Sequence, residues 1–222
     1  MEIKNSKTEK TEKEDDKDEE QGWMRRTWNW LWHSDSILSW IVSLILAFLI
    51  VKFIIFPVLS LVFATSLPLV VVESSSMHHP GNFLGEITSN ILPGNSFNQW
   101  YEEKGKWYEN KNITRSYIEK WDFKNGFDKG DIILVTGWDK NLEVGDVIIF
   151  NANQAHPIIH RVIRITEVNG EKIYSTKGDN NVEQLVDEKI IKEQAVIGKA
   201  ILRLPKLGWV KLAFVQLTGL FK

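Results

Sequence analysis

The order of apolar and polar residues divides this chain into segments of different character. Residues 1–22 consist mainly of Glu, Asp and Lys, and such a segment buries too little apolar surface to offset the entropy lost on ordering. Residues 23–36 carry four tryptophans beside Arg25 and Arg26, a composition typical of the bilayer interface. We therefore predict a disordered charged tail and then an interfacial segment, for which a surface helix packed on protein is the alternative.

A long apolar run follows over residues 37–56, in which Lys52 is the one charged residue. In a helix with a rise of about 1.5 Å per residue, about 20 residues cover the ~30 Å hydrocarbon core of a bilayer. Pro57 then interrupts the run, because proline lacks the amide hydrogen that a helix interior requires. We therefore predict a membrane-spanning helix over residues 37–57, with a buried core helix as the alternative. Two arginines precede it, which favours a single-pass cell-membrane protein with a cytoplasmic N-terminus.

Beyond this helix, apolar residues occur in short β-prone runs separated by turn residues. Two of the runs open alike, with Gly-Asp followed by branched and apolar residues at 130–135 and 145–150. This pattern is typical of strands that follow tight turns. We therefore predict a mainly β extracytoplasmic domain over residues 58–206.

Two segments depart from the β pattern. In residues 81–127, aromatic and charged residues are interleaved with helix-compatible spacing near Ile113, so we predict a small helical insertion with its own core. Aromatic rings that dip into the bilayer interface are the alternative. Residues 207–222 are apolar with interspersed lysines but short for a membrane crossing, so we expect an interfacial helix there. Packing of this segment against the β domain remains open.

Composition narrows the possible functions. The formal net charge of -2 and the sequence pI of about 6.2 provide no basic surface of the kind that nucleic acid requires, so nucleic acid is not an expected partner. The chain contains no cysteine, which excludes disulfides, thiolate metal sites and a cysteine nucleophile.

One hairpin can be placed in register from the sequence. Asn-Gly at 169–170 is a strong signal for a two-residue type I′ turn, because both central residues need a positive φ. With these residues as the loop, Val168 pairs with Glu171. Counting back along both strands then places His160 opposite Asp179, with Cβ atoms about 4.5–5.5 Å apart. We therefore predict contact between this imidazole and this carboxylate, provided that no bulge shifts the register.

A hydroxyl that follows the apolar run, together with this imidazole and carboxylate, has the composition of an acyl-transfer site. Serine is a weak nucleophile alone and needs a base such as histidine, which an acid in turn orients. Taken singly, Ser76 within three serines would be a turn residue and His160 a core histidine. The pairs His156/His160 and His78/His79 leave a zinc site open as an alternative.

Five motifs in this order make the chain resemble a known family. They are Ser76-Met77 with Pro80 close behind, Gly-Asp-Ile-Ile-Leu-Val at 130–135, Gly-Asp-Val-Ile-Ile-Phe at 145–150, Ile-His-Arg-Val at 159–162, and Lys-Gly-Asp-Asn-Asn at 177–181. Together they resemble the type I signal peptidases over most of residues 37–205. His160 before Arg161 places the resemblance in the archaeal and endoplasmic-reticulum branch, which uses Ser and His where the bacterial branch uses Ser and Lys.

The resemblance implies a signal-peptidase-like β fold and a serine endopeptidase that removes signal peptides from exported preproteins. It implies Ser76 as nucleophile and His160 as general base, with Asp179 and Asp187 as essential acids. The Ser76 amide and the Ser74 hydroxyl are the expected oxyanion donors. No cofactor or metal is expected, and the expected partners are preproteins, the lipid bilayer and the translocation machinery.

Several alternatives stay open at this point. The interval between Asp179 and Asp187 is longer than in the family, so Glu188 is a neighbouring candidate for the second acid. A serine–lysine peptidase would need a lysine in place of His160, and Lys177 is the candidate on the paired strand. The chain could also be a membrane-anchored β module that binds a partner, without catalysis, through the aromatic insertion.

Overall fold

The computed structural model describes residues 22–213, apart from 24, 27, 31–35, 81–95, 140, 153 and 155. Residues 1–21 of the charged tail predicted over residues 1–22, and residues 214–222 of the C-terminal segment, lie outside the described part. The chain divides into two compact units, which meet in sequence at Val58 and Leu59.

One long apolar helix precedes the β domain. It comprises α1 (Ile37–Ile50), a π-helical turn (Val51–Ile55) and α2 (Phe56–Val62), 26 residues in all. Among the described residues it is the one helix that is long and apolar enough to cross a bilayer. The sequence predicted an end at Pro57, but the helix continues to Val62. The π-helical turn has already shifted the hydrogen-bond ladder before the residue that lacks an amide.

The second unit is built on a seven-stranded sheet with antiparallel neighbours. The strands are β1 (Leu69–Val71), β2 (Ile132–Thr136), β3 (Val147–Phe150), β4 (Ile158–Val168), β5 (Glu171–Lys177), β6 (Ile191–Lys192) and β7 (Val196–Leu204). Their order across the sheet is β1-β2-β7-β3-β4-β5-β6. Both Gly-Asp runs lead into strands, β2 and β3, and the predicted mainly β fold is confirmed.

The described part of the insertion, from residue 96 onward, is helical. Helix α3 (Ser96–Glu109) and the short α4 (Arg115–Ile118) enclose a core of mostly aromatic side chains. Trp100 and Tyr108 are buried there, with 1% and 0% exposure. Since these rings are enclosed by protein, the structure favours a small helical core over rings placed in the bilayer interface.

The β4–β5 hairpin starts in the predicted register. Val168 pairs with Glu171, and φ angles of 54° and 81° at the two turn residues meet the type I′ requirement. Further from the turn, the register shifts by one residue between Arg164 and Val162. The extra residue of this bulge is Ile163, which packs into the aromatic core of the insertion.

The bulge makes one prediction wrong. His160 was expected opposite Asp179, but Arg161 pairs with Lys177, which places His160 level with Gly178. A turn signal determines the register only near the loop, because a bulge moves every later pair by one position.

The described start of the C-terminal segment, residues 207–213, packs on the β domain. Gly208 N donates to Gly130 O at 2.8 Å. Trp209 covers Gly130 so closely that a Cβ there would lie 2.3 Å from the indole nitrogen, and Leu212 is buried. Packing against the domain, the alternative left open by the sequence, therefore describes this part of the segment.

Candidate active site

Ser76 and His160 line the same cleft of about 570 Å³. Ser76 lies in the loop after β1, and His160 is the third residue of β4. The apolar walls come from β1 and the beginning of β4, and include Leu69, Val70, Val71, Ile158 and Ile159. A larger cavity of about 740 Å³ lies along the β4–β5 hairpin. Its lining includes neither Ser76 nor His160. The smaller cleft, which contains both side chains, is therefore the candidate active site.

Gly178 allows the His160 imidazole to approach the loop that carries Ser76. A Cβ at this position would lie 2.7 Å from His160 Nε2 and 2.9 Å from the Ser76 carbonyl oxygen, which is closer than packed atoms approach. His160 Nε2 and the Ser76 carbonyl oxygen therefore both lie next to the Gly178 Cα, and a side chain at position 178 would push them apart.

The acid beside His160 is Glu188. His160 Nδ1 donates to Glu188 Oε1, and the two residues are only 3% and 0% exposed. The other carboxylate oxygen accepts the Leu185 amide at 2.6 Å, which fixes the carboxylate within the 3₁₀ turn Val186–Glu188. With Nδ1 donating, Nε2 is left to accept a proton on the side of the cleft.

The structure does not pair either predicted aspartate with His160. Asp187 is the half-buried residue next to the glutamate that does contact it, and Asp179 belongs to a separate network. Consecutive residues of a 3₁₀ turn point in directions about 120° apart, so position 188 and not 187 faces β4. The predicted oxyanion donor Ser74 does lie beside the nucleophile, with its hydroxyl 3.0 Å from Ser76 Oγ.

Asp179 is the centre of a fully buried network. Its Oδ2 accepts from Arg161 Nη2 at 2.7 Å and from His79 Nε2 at 2.9 Å. Its Oδ1 accepts from Arg161 Nε at 2.9 Å and from the Tyr108 hydroxyl at 3.2 Å. Burial opposes the charged carboxylate, but the Arg161 charge and the hydrogen bonds from His79 and Arg161 outweigh it and hold the pKa of Asp179 well below its usual range. Asp179 is therefore an anion at neutral pH.

His79 is neutral within this network. Burial lowers its pKa by more than the neighbouring Asp179 carboxylate raises it. Its ring stacks on Trp100 with centroids 4.3 Å apart, and its Nδ1 is buried without a hydrogen-bond partner among the described residues. The hydrogen therefore belongs on Nε2, which donates it to Asp179.

The turn after β5 holds the backbone around Ser76. Asn180 N donates to Ser76 O at 2.8 Å, and Asn180 Nδ2 donates to Ser75 O at 3.1 Å. On the other side, Phe127 N donates to Met77 O at 3.0 Å, and the Met77 side chain is completely buried. The loop that carries Ser76 is therefore fixed at three successive carbonyl groups.

Lys177 lies on the opposite face of the sheet from His160. It pairs with Arg161, the residue next to His160, and successive residues of a strand point to opposite faces. Its ammonium nitrogen lies 4.9 Å from the ring centre of Trp107 and 5.2 Å from that of Tyr108, and burial lowers its pKa to about 8. Lys177 thus contacts the insertion and does not occupy the position of a base for Ser76.

The histidines of the zinc alternative face different carboxylates. His78 Nδ1 contacts Asp128, whereas His79 Nε2 contacts Asp179. Within the part of the chain that the structure describes, no group of three or more His, Asp or Glu side chains is arranged to hold a metal ion.

Curated proteins with similar sequences include several named signal peptidase complex catalytic subunit SEC11, although no protein-family model matches the chain. The chain is 30% identical over 119 residues to the subunit of Komagataella phaffii, which covers 48% of this chain and 70% of that protein. It is 35% identical over 95 residues to the subunit of Lachancea thermotolerans, with 38% and 55% covered. For Yarrowia lipolytica the identity is 28% over 97 residues, with 40% and 56% covered. The chain therefore spans little more than half the length of the last two relatives.

Proposed function

Because the chain belongs to the family of signal peptidase catalytic subunits, we propose that it is a membrane-bound serine endopeptidase that removes N-terminal signal peptides from exported preproteins. The observation that carries this proposal is the cleft shared by Ser76 and His160, with Glu188 buried behind the imidazole. A nucleophile, a base and an orienting acid are the three parts that acyl transfer requires.

In the proposed reaction, Ser76 Oγ attacks the carbonyl carbon of the scissile peptide bond while His160 Nε2 takes the hydroxyl proton. Glu188 accepts the hydrogen bond from Nδ1 and stabilises the imidazolium that forms. The C–N bond then breaks, and the imidazolium gives its proton to the leaving amine. Water repeats the sequence on the acyl-enzyme, with His160 again as base, and releases the signal peptide as a carboxylate.

The negative charge on the carbonyl oxygen needs donors at the rim of the cleft. The Ser76 amide and the Ser74 hydroxyl are the donors that we propose, and the short distance between the Ser74 and Ser76 hydroxyls supports the second. One such donor contributes on the order of 3 kcal/mol to stabilisation of the transition state.

Substrate selection would come from the apolar walls of the cleft and from the membrane anchor. The walls offer aliphatic side chains from β1 and β4, which fit small apolar residues on the substrate near the cut. The helix from Ile37 to Val62 would hold the site at the cell-membrane surface, with the N-terminus cytoplasmic and the β domain outside. A membrane-held preprotein then meets the site at a high effective concentration.

Other proteins are further proposed partners. The relatives are named as subunits of a complex, so we infer accessory subunits and contact with the translocation machinery as well as with preproteins and lipid.

The test is cleavage of a preprotein by the full chain in liposomes, with the new N-terminus identified by mass spectrometry. Wild type is compared with Ser76→Ala and with Ser116→Ala, which alters an exposed serine on α4. We expect wild type and Ser116→Ala to cut after a small residue beyond the apolar core of the signal peptide, and Ser76→Ala to leave the preprotein intact. Equal processing by all three would remove Ser76 as nucleophile and favour the binding-module alternative.

A further inference from the structure

The helical insertion reaches the active-site loops through Asp179. Trp100 Nε1 donates to the Asp179 carbonyl oxygen at 3.0 Å, and the Tyr108 hydroxyl donates to Asp179 Oδ1 at 3.2 Å. Trp100 also stacks on His79, the other neutral donor to the same carboxylate, with an interplanar angle of 3°. Two residues of α3 therefore contact both the backbone and the side chain of Asp179.

From Asp179 the contacts continue to the nucleophile. The Asp179 amide lies 3.4 Å from the Met77 sulfur, and the amide of the next residue, Asn180, donates to Ser76 O at 2.8 Å. Only the short segment Asp179-Asn180 thus separates the aromatic core from the backbone of Ser76.

The Tyr108 donor is needed because the Asp179 carboxylate is charged and has no access to water. Trp100 satisfies the buried backbone carbonyl of the same residue. A buried carboxylate is tolerated only when its lone pairs are satisfied, and loss of a donor leaves a polar atom without compensation. Burial, together with the Asp179 charge, raises the pKa of Tyr108 well above 10, so its hydroxyl keeps its proton and donates at neutral pH. The aromatic core holds both α3 donors in place.

We propose that the insertion is a positioning element for catalysis, in which Trp100 and Tyr108 fix Asp179 and, through Asn180, set the position of Ser76 relative to His160. This role rests on the proposed peptidase activity. No residue of α3 or α4 lines the cleft of Ser76 and His160. In the proposal these helices act through other residues, which distinguishes them from the contact surface that the binding-module alternative assigns to the insertion.

The experiment compares Tyr108→Phe and Trp100→Phe with wild type, using the full chain in liposomes and one purified preprotein. Each variant keeps an aromatic ring in the core and removes one donor to Asp179. Tyr117→Phe is the matched control, because it also removes a hydroxyl from the insertion, one that donates to Val144 O at 3.1 Å on the exposed side.

We expect kcat to fall about tenfold in both test variants while KM is unchanged, because the nucleophile is misplaced but the cleft walls are intact. Tyr117→Phe should retain the wild-type kcat. Unfolding midpoints are measured for all variants, and kcat is compared well below the lowest midpoint, so that loss of folded protein does not mimic loss of positioning.

Hydrogen exchange at the Asn180 amide provides a second readout that does not depend on activity. Loosening of its hydrogen bond to Ser76 should make exchange faster in Tyr108→Phe than in Tyr117→Phe. Unchanged kcat and unchanged exchange in Tyr108→Phe would overturn the positioning role while the peptidase assignment stands. If wild type itself processes no preprotein, the assignment fails, and the exchange rates alone decide whether the insertion holds the Ser76 loop.

Discussion

Glu188 accepts a hydrogen bond from His160 Nδ1 at a point where both side chains are almost completely buried. Because the Leu185 amide also holds the carboxylate, the imidazole has one orientation, with Nε2 next to Gly178 and the cleft. The carboxylate that contacts His160 therefore belongs to a glutamate in a 3₁₀ turn, whereas the resemblance led us to expect an aspartate, and we propose Glu188 as the orienting acid.

Glu188→Gln should lower kcat by about 10³–10⁴-fold with little change in KM, because the amide favours the wrong tautomer of the imidazole. Asp187→Asn should stay close to wild type, since its side chain lies beside the pair and not in it. Steady-state processing of a preprotein measures both. A large loss in Asp187→Asn with a small one in Glu188→Gln would reverse this assignment of the acid.

Ser74→Ala should lower kcat by about 10²–10³-fold, the usual cost of removing one oxyanion donor. Ser74→Thr keeps a hydroxyl and should recover a substantial part of the activity. Equal rates for wild type and Ser74→Ala would show that the oxyanion is stabilised elsewhere, and the same processing assay reads out all three proteins.

Gly178→Ala should abolish most processing, because the added Cβ would approach His160 Nε2 and the Ser76 carbonyl oxygen to less than 3 Å. Gly170→Ala is the matched control: its φ of +81° strains an alanine, but the space around it is open. That control should lose about 1 kcal/mol of stability and keep its kcat. Normal activity in Gly178→Ala would contradict the close approach of base and loop.

The free energy of unfolding should fall as the pH drops from about 7 to 5, in part because His79 is buried in its neutral form. Burial lowers its pKa in the folded protein below the ordinary histidine value of 6.5, so between the folded and the unfolded pKa the unfolded chain binds more protons and stability rises with pH. The Asp179 contribution is present above its unfolded pKa of about 3.9 and is lost only at lower pH. His79→Gln should therefore show a flatter dependence of the thermal midpoint between pH 5 and 7, and an identical slope would contradict a buried neutral histidine.

Lys177 should make the protein more stable as the pH rises above 8. Burial lowers its pKa to about 8 in the folded protein, against an ordinary lysine value of 10.5, so the unfolded chain binds more protons between these two pH values. Lys177→Met should lack this rise in the unfolding midpoint. The same variant should still process preprotein at pH 7, whereas a serine–lysine mechanism with this base predicts a loss of about 10²-fold or more.

Much of the architecture could be predicted because it depends on local pattern. Apolar character over residues 37–56 indicates a spanning helix whatever the rest of the chain does, and the Gly-Asp runs lead into β2 and β3. The type I′ turn at 169–170 depends on two residues that accept a positive φ. Ser76 and His160 were proposed as nucleophile and base from motifs of a few residues, and the two residues line one cleft.

The predicted pairing of His160 with Asp179 was wrong because the register of β4 depends on packing between segments that are distant in sequence. The bulge at Ile163 exists where β4 meets the core of the insertion, and no local signal in β4 predicts it. Without the bulge, counting back from the turn would pair His160 with Asp179. Because the bulge shifts the register, Asp179 instead contacts Arg161, His79 and Tyr108.

The sequence by itself determined the apolar helix, the mainly β domain and the residue types of the site, because periodicity, turn chemistry and short motifs are properties of neighbouring residues. Only the tertiary structure decided which carboxylate contacts which histidine, and that the insertion contacts Asp179. Those relationships are contacts between residues that lie 28 to 100 positions apart, and their partners are selected by the burial of charge, which exists only once the chain has folded.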